Sequence, residues 1–367
     1  MSKAVIVFSG YNQRAVIAFL RTLQKNRIRF GIIAKAEDDS ILKTVYEKYV
    51  VYIRREVTLE LRTFIGGINI AKQYLEADSY LLAPTTEALN RFMLRHRSSI
   101  EAIDCVIPLI DEKLYAKLSD KKSFSELVGA FGLMIPRELT VSEIKQFPIV
   151  VKPVAYITQK GEYSISPVIV QTEKQWKKFL EQHSVEEYFF QEYITGESYY
   201  LLYYFSKSGE IFKFSQENLM QQPEGKSILA AVPSDIHKLD ISKKYENLLQ
   251  MLSFHGLIMI ELRKQKQEYY MIEANPRFWG PSQLFVDAGY NFFENMLSDY
   301  GFEILNEIED KDIEMKETKY FWTGGVQDVI NAGKNVVVYS EKIIDEDWAA
   351  FDIYNRPDTK RLFIEKL

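Results

Sequence analysis

Short apolar runs alternate with amphipathic segments along the first part of the chain. Five runs have the length and composition of buried strands: 4–8, 29–34, 49–53, 79–84 and 104–109. Apolar residues recur at helical spacing over 13–26 and 58–75, and Thr85 or Thr86 caps a further predicted helix. Strands separated by helices are typical of a parallel, doubly wound sheet. Only Gly10 occupies the first strand-to-helix turn, which argues against a dinucleotide-binding fingerprint.

The pattern changes after about residue 116. Helices are predicted over 120–131, 173–183 and 241–254, and strands over 147–154, 187–194, 199–206 and 210–216. A polar loop, 155–166, follows the first of these strands. The clearest feature is a hairpin of two strands, 257–263 and 268–275. We therefore predict a multidomain chain, with an α+β region after the N-terminal α/β domain.

Composition and charge exclude several classes of partner. The 367 residues include one cysteine and four histidines without ligand spacing, which excludes an internal disulfide and makes a zinc site unlikely. The net charge of −5 gives no reason to expect nucleic acid or an anionic membrane as a partner. The chain opens directly into a strand and carries no apolar run near the roughly 20 residues that span a bilayer, so we expect a cytoplasmic protein.

Candidate chemistry is concentrated in the hairpin. Glu261 interrupts an apolar strand, and Glu273 and Asn275 share one face of the next strand because the strand period is two. A turn centred on Lys266 would place Glu261 opposite residue 271, with Glu273 as a diagonal neighbour about 7–8 Å away. Two close carboxylates repel unless a cation joins them, and Mg²⁺ prefers one or two carboxylates plus phosphate oxygens. A pair of solvent-facing glutamates is the alternative interpretation.

Several motifs occur in the order found in a known superfamily. They are GLIMIEL followed by MIEANPRFWGPSQL, LLAPTTEAL followed by SDKKSFSELVGAFGLMIP, IVVKP, and FFQEYITGES. Together they resemble the ATP-grasp superfamily, nearest to its carbamoyl-phosphate-synthetase-like branch, over roughly residues 1–300. The resemblance implies a doubly wound parallel sheet followed by the two α+β subdomains of an ATP-grasp fold. It also implies four segments: an N-terminal pre-ATP-grasp domain at 1–115, a small lid subdomain at 116–192, a large subdomain with the metal site at 193–310, and a C-terminal tail packed on the core at 311–367.

The resemblance also implies roles for particular residues. The cofactors are ATP and Mg²⁺, with Mn²⁺ as an alternative metal. Residues expected to contact the phosphates are Lys121, Lys152 and Lys160. Residues expected to hold adenine are Gln191, Glu192, Tyr193 and Ile194, and Glu197, or Ser198 in its place, would bind the ribose. The expected metal ligands are Glu261, Glu273 and Asn275. Arg277 would face the phosphates, and Lys226 or Asn218 would replace an arginine that relatives often carry. The loop after Lys152 departs from the family, because it contains only Gly161.

The predicted function is an ATP-dependent carboxylate–amine ligase that works through an acyl phosphate. The partners are then a small-molecule acid and an amine, and a homodimer is an open alternative to a monomer. Competing interpretations are an ATP-grasp carboxylase, a small-molecule kinase, and a non-catalytic nucleotide-binding module. Arg14, at the carboxyl end of the first strand, either holds a substrate carboxylate or is a solvated helix residue.

Overall fold

The computed structural model describes the chain except for residues 1, 57, 157–166, 306–317, 344–346 and 364–367. Within these ranges the chain forms a parallel sheet, a small antiparallel sheet and a large antiparallel sheet, with helices between and around them. The predicted fold class is confirmed.

A five-stranded parallel sheet forms first, in the order β3-β2-β1-β4-β5. Its strands are β1 Lys3–Phe8, β2 Phe30–Ala34, β3 Val50–Ile53, β4 Ser79–Leu82 and β5 Cys105–Val106. Alternate residues of β1 enter two different cores: Ile6 packs with Phe64 and Ile68, whereas Val7 packs with Val16 and Leu20. Both faces of the sheet are therefore covered by helices, which explains why its strands are continuous apolar runs.

A small four-stranded antiparallel sheet comes next, in the order β6-β9-β7-β8. Its strands are β6 Glu138–Leu139, β7 Ile149–Pro153, β8 Val168–Val170 and β9 Tyr188–Glu192. It has its own core, in which the ring of Trp176 lies 5.1 Å from that of Phe190 and 5.7 Å from that of Phe179. This separate core makes the sheet a distinct layer over the larger sheet.

The large sheet has seven strands in the order β14-β13-β10-β11-β12-β15, and β16 pairs with β11 outside that order. Its strands are β10 Glu197–Phe205, β11 Ile211–Gln221, β12 Ile228–Pro233, β13 Gly256–Gln265, β14 Glu268–Asn275, β15 Tyr320–Phe321 and β16 Val337–Val338. The pattern analysis did not identify β12. Alternate residues of β10 and β13 join the two cores of the N-terminal sheet, so these two sheets are packed together rather than linked loosely.

The helices cover the sheets and connect them. They are α1 Gln13–Lys25, α2 Leu61–Leu75, α3 Glu87–Arg95, α4 Arg97–Glu101, α5 Glu112–Ser119, α6 Lys121–Ala130, α7 Glu173–Gln182, α8 Asp240–Met251, α9 Ser282–Asp287, α10 Phe292–Asp299 and α11 Thr323–Asn331. Of the two candidate caps, it is the Thr86 hydroxyl that accepts the Leu89 amide, at 3.3 Å. No helix among the described residues is long and apolar enough to cross a membrane.

The C-terminal segment returns to the N-terminal half of the chain. β15 adds to the edge of β12, and the Arg14 guanidinium stacks over the Trp322 ring at 3.9 Å. Asp358 accepts the Arg21 guanidinium at 2.8 Å and the Tyr46 hydroxyl at 3.0 Å. These contacts tie two C-terminal segments, FWTGG at 321–325 and FDIYNRPD at 351–358, to the N-terminal half of the chain.

Gly196, in the turn between β9 and β10, is predicted to be intolerant of substitution. Its φ is +111°, and a Cβ there would lie 2.1 Å from the Lys264 carbonyl oxygen. We expect Gly196→Ala to lower the unfolding free energy by about 1–3 kcal/mol, measured as a lower urea midpoint. Gly66→Ala is the matched control, because Gly66 lies in α2 with open space around its Cβ position. Equal urea midpoints for the two variants would contradict this explanation.

Candidate functional site

A β-bulge brings Glu261 and Glu273 directly opposite one another. The turn is formed by Lys266 and Gln267, so Gln265 pairs with Glu268 and Leu262 with Met271, but Glu261 pairs with Glu273. Ile272 is the extra residue. If the strands paired regularly instead of bulging here, Glu261 would pair with Ile272, and Glu273 would turn to the other side of the sheet. The predicted shared face is confirmed, but the predicted register was wrong, because Glu273 is the direct partner of Glu261 and not its diagonal neighbour.

The two carboxyl groups have opposite electrostatic surroundings. Glu261 is only 5% exposed. Burial raises its pKa, Arg263 opposes the rise, and the charge of Glu273 adds to it. Burial also disfavours ionisation of Glu273, but the charge and hydrogen bond of Lys121 outweigh it and hold the pKa below 4.5. The pair therefore consists of one strong and one weak acid.

Two lysines reach the carboxylate pair from other elements. Lys121, at the first turn of α6, donates to Glu273 Oε2 at 2.5 Å. Lys121 therefore contacts an acid of the site and is not a solvent-exposed lysine at the start of a helix. Lys152 lies on β7 of the small sheet and donates to the carbonyl oxygen of Ile272, the bulged residue, at 2.8 Å. Burial, and then the charge of Lys121, lower the pKa of Lys152 to about 8. Both ammonium groups converge on the bulge.

Asn275 and Arg277 continue this network toward the loop after β14. The Asn275 amide donates to Glu273 Oε1 at 2.8 Å, and its oxygen accepts from Arg277 at 3.0 Å. Arg277 also donates to the Phe278 carbonyl at 2.9 Å. Asn275 is 5% exposed. Its side chain therefore links the acid to the guanidinium, and its oxygen is engaged by Arg277.

A second set of hydrogen-bonded residues lies behind Glu261 and was not predicted from the sequence. The Arg263 guanidinium lies 3.4 Å from Glu261 Oε1 and donates to Gln221 Oε1 at 3.0 Å and to the Tyr339 hydroxyl at 2.7 Å. Its plane lies over the Tyr339 ring at 4.2 Å. The two-residue spacing from Glu261 could have identified Arg263, because both side chains must share one face of β13. No local signal connects Gln221 or Tyr339 to this site.

The predicted adenine-binding residues lie at the end of β9. The Gln191 side chain is 1% exposed and donates weakly to Ser125 and to the Pro136 carbonyl, which ties β9 to α6. Glu192 accepts the Arg137 amide at 3.2 Å. Tyr193 and Ile194 follow the strand, and their peptide groups have no backbone partner among the described residues.

The remaining predicted residues differ in their exposure. Glu197 is half exposed and accepts the Tyr199 hydroxyl at 2.7 Å, whereas Ser198 is buried and bonded to Asn218. Asn218 is itself fully buried, so it cannot replace the missing arginine. Lys226 is half exposed and pairs with Glu224 at 3.3 Å. Lys160 lies outside the described residues.

A cavity of about 960 Å³ connects the carboxylate pair with the N-terminal sheet. One wall carries the catalytic candidates on the large sheet, and the other carries the carboxyl ends of β1 and β4. The polar and aromatic residues that line it include Glu261, Glu273, Asn275, Arg277, Lys226, Arg14, Arg54, Tyr11 and Thr85. The Asn12 amide joins the walls, because it donates to the carbonyls of Thr85 at 2.9 Å and Phe278 at 3.0 Å.

Comparison with solved structures identifies the fold. A complex of biotin carboxylase with β,γ-ATP from Campylobacter jejuni has a TM-score of 0.60 at 15% identity, over 82% of this chain and 72% of that one. The MgADP- and bicarbonate-bound biotin carboxylase domain of 2-oxoglutarate carboxylase from Hydrogenobacter thermophilus gives 0.62 at 12%, over 83% and 71%. An L-amino acid ligase from Bacillus licheniformis gives 0.58 at 14%, over 87% and 78%. The chain has the ATP-grasp fold. No protein-family model and no curated protein matches the sequence.

The acidic pair of this ATP-grasp fold has the chemistry of a divalent cation site. Glu261 and Glu273 occupy directly opposed strand positions and line the same cavity. Among the described residues, each carboxylate forms an ion pair through only one of its two oxygens. Hard carboxylate oxygens with room for phosphate oxygens are what Mg²⁺ requires. Asn275 can contribute its oxygen only if Arg277 releases it. The residues present therefore fit the metal.

Replacing each acid by its amide should affect the metal-free protein in opposite directions. Because folding raises the pKa of Glu261, its contribution to the free energy of unfolding is present below pH 4.5 and is lost as the pH rises. The free energy of unfolding of Glu261→Gln should therefore equal that of wild type near pH 5 and exceed it by about 1 kcal/mol at pH 8. The lowered pKa of Glu273 means that its contribution is present above pH 4.5, so Glu273→Gln should destabilise at both pH values.

The loss in Glu273→Gln should be about 2 kcal/mol, less than for a fully buried pair because Lys121 and Glu273 retain 19% and 24% exposure. Urea unfolding in EDTA at pH 5 and pH 8 measures both effects. The electrostatic assignment is wrong if the two variants shift stability in the same direction at pH 8.

Proposed function

We propose that the protein is an ATP- and magnesium-dependent ligase that phosphorylates a carboxylate and joins the acyl group to an amine. The observation that carries this proposal is the bulge that sets Glu261 opposite Glu273 inside the cavity, with Lys121 and Lys152 converging on it. Two acids and two ammonium groups at one point, one of the ammonium groups buried, are costly to fold unless a ligand uses them. A metal-bound triphosphate uses both signs of charge.

The nucleotide would lie between the small and large sheets. Lys152 spans these two layers, since it is carried by β7 and bonded to the backbone of β14, and it would contact the phosphates together with Lys121 and Lys160. Tyr193 and Ile194 would read the adenine edge together with Gln191 and Glu192, since the peptide groups of Tyr193 and Ile194 have no backbone partner within the described part of the chain. Glu197, at the start of β10, would bind the ribose hydroxyls. Two solved structures named above contain ATP or ADP, which supports a nucleotide as the ligand of this fold.

The metal would be held by Glu261 and Glu273, with Asn275 as a third oxygen ligand. When bound, Mg²⁺ or Mn²⁺ supplies positive charge to the β- and γ-phosphate oxygens. The residues around it hold the acids in place. Lys121 and the Asn275 amide fix the two oxygens of Glu273, and Arg263, clamped by Gln221 and Tyr339, orients Glu261.

The reaction consists of two displacements. A carboxylate oxygen of the acid attacks the γ-phosphorus of ATP, forming an acyl phosphate and releasing ADP. The amine then attacks the acyl carbon, and inorganic phosphate leaves while the amine nitrogen loses a proton. Arg277 would stabilise the transferring phosphoryl group, and Lys226, across the cavity, would hold the acyl phosphate. No protein nucleophile is needed.

The four segments 1–115, 116–192, 193–310 and 311–367 are proposed as the functional units. In this division the N-terminal sheet shapes the small-molecule pocket, the small sheet covers the nucleotide, and the large sheet carries the metal. A homodimer stays a prediction.

A carboxylase is a second candidate, favoured by the biotin carboxylases among the solved structures with this fold. The first chemical step is the same if bicarbonate is the acid. Dependence of ADP release on bicarbonate rather than on an amine would identify this reaction.

A pooled screen of carboxylic acids and amines, read by release of ADP and phosphate, tests the proposed function. Glu273→Ala should lower magnesium-dependent turnover at least about 100-fold, because charge stabilisation of this kind contributes several kcal/mol. Glu268→Ala is the control, since Glu268 is an exposed acid at the other end of β14. Tight nucleotide binding without turnover under any substrate pool would instead indicate a non-catalytic module.

Lys152→Met tests the placement of the phosphates. The substitution keeps an apolar stem of similar length and removes the buried ammonium group. We expect affinity for ATP to fall at least about tenfold while affinity for adenosine is unchanged, measured by calorimetry. Lys177→Met, on the solvent-facing side of α7, should leave both affinities unchanged. Equal losses for ATP and adenosine would show that Lys152 only stabilises the fold.

A further inference from the structure

The cavity contains more cationic side chains than its own acids neutralise. Lys226 pairs with Glu224, but Arg14 and Arg54 line the same cavity without an ion-pair partner among the described residues. A guanidinium that is partly removed from water needs compensation by hydrogen bonds or by a negative charge. Arg14 and Arg54 differ in the partners of their guanidinium groups. This difference shows which of the two arginines is structural and which is available to a ligand.

Arg14 is satisfied by neutral groups of the fold. Its guanidinium donates to the Ile228 carbonyl at 3.0 Å, to the Tyr320 hydroxyl at 2.8 Å and to the Ser227 hydroxyl at 2.9 Å. Its plane stacks on Trp322, and a Cβ at Gly280 would lie 2.8 Å from one terminal nitrogen. These contacts fix Arg14 as a connection between α1, β12 and the C-terminal segment. Of the two alternatives for Arg14, a solvated helix residue is therefore excluded.

The Arg54 guanidinium has no hydrogen-bond partner among the described residues. Its Nε is buried without a hydrogen bond, and no described residue accepts from its terminal nitrogens. Burial lowers the pKa of Arg54 below its ordinary value, and the nearby Asp39 only partly opposes this. The Asp39 carboxylate is already taken by the Ser9 hydroxyl at 2.6 Å and by the amides of Lys35 and Ile41. The Arg54 guanidinium therefore lines the cavity and donates no hydrogen bond to any described residue.

The position of Arg54 in the fold also indicates a ligand. It follows β3, and its amide donates to the Ala34 carbonyl at 2.9 Å, so it stands at the carboxyl edge of the parallel sheet. That edge is the usual ligand side of such sheets. β3 lies two strands from β1, or about 10 Å. The charges that act on Arg54 are those of Tyr11, Asp39 and Tyr52 in the N-terminal domain. Arg277 instead donates to Asn275 and Phe278 at the end of the hairpin, on the other wall of the cavity.

We propose that Arg54 is the receptor for an anionic group of a substrate, separate from the carboxylate that reacts with ATP. This inference rests on the proposed function for the identity of the reacting end. One of the two substrates then carries an additional anionic group, either a carboxylate or a phosphomonoester. This group lies at the end of the molecule away from the reacting atoms. Tyr11, which lines the cavity and is about half exposed, offers apolar surface to the linking part of that substrate.

Calorimetry on the nucleotide-free protein, with three matched pairs of probes, tests the proposal. The pairs are succinate and butyrate, phenylalanine and phenethylamine, and O-phosphoethanolamine and ethanolamine. In each pair the second compound lacks one anionic group. In at least one pair, wild type should bind the anionic member about tenfold or more tightly than its mate, as expected for a charge-assisted hydrogen bond. The first two pairs report a carboxylate, and the third reports a phosphate.

Arg54→Gln should abolish that preference, whereas Arg54→Lys should retain part of it. Arg55→Gln is the matched control, because it removes the same charge from the neighbouring exposed residue that does not line the cavity. The proposal is overturned if wild type prefers no anionic member, or if Arg54→Gln keeps the preference with an unchanged thermal unfolding midpoint. Because the measurement needs no turnover, failure of the ligase assay leaves its outcome unaffected, and the reverse also holds.

Discussion

The opposition of Glu261 and Glu273 on a bulged hairpin is the interaction on which the rest of the site depends. Two carboxylates at adjacent strand positions repel, so the fold brings cations to them from separate parts of the chain. Lys121 comes from a helix before the small sheet, Lys152 from the small sheet itself, and Arg263 from the same strand as Glu261. The arrangement holds the layers together and at the same time concentrates charge where a metal-bound triphosphate can use it.

Burying the charged forms of Glu261 and Lys152 costs free energy in the ligand-free protein. Glu261 takes up a proton more readily than a free glutamate, and Lys152 loses one more readily than a free lysine, since both are buried. Such costs are typical of functional sites, where groups are held ready for a charged ligand. The Arg263 clamp through Tyr339 explains why the C-terminal segment belongs to this site rather than to a separate appendage.

The cavity joins phosphoryl chemistry to substrate selection because two sheets share its walls. Asn12 binds the carbonyls of Thr85 and Phe278, so the edge of the parallel sheet and the loop after β14 are fixed relative to one another. A substrate held at Arg54 would therefore be held at a defined distance from the metal-binding acids. Positioning of this kind is the main contribution that a protein makes to phosphoryl transfer.

The sequence alone determined the strand and helix alternation, the hairpin and the identity of its acids, because these follow from local periodicity and residue type. The doubly wound parallel sheet follows from the same periodicity, whereas the ATP-grasp subdomains were implied by the resemblance of the motifs. Only the tertiary structure decided that Ile272 bulges, and without that bulge Glu273 would face the opposite side from Glu261. It also decided which arginines are available, since Arg14 is satisfied by Tyr320 and Ser227 from distant segments while Arg54 is not. Such outcomes depend on contacts between residues far apart in the chain, which no local pattern encodes.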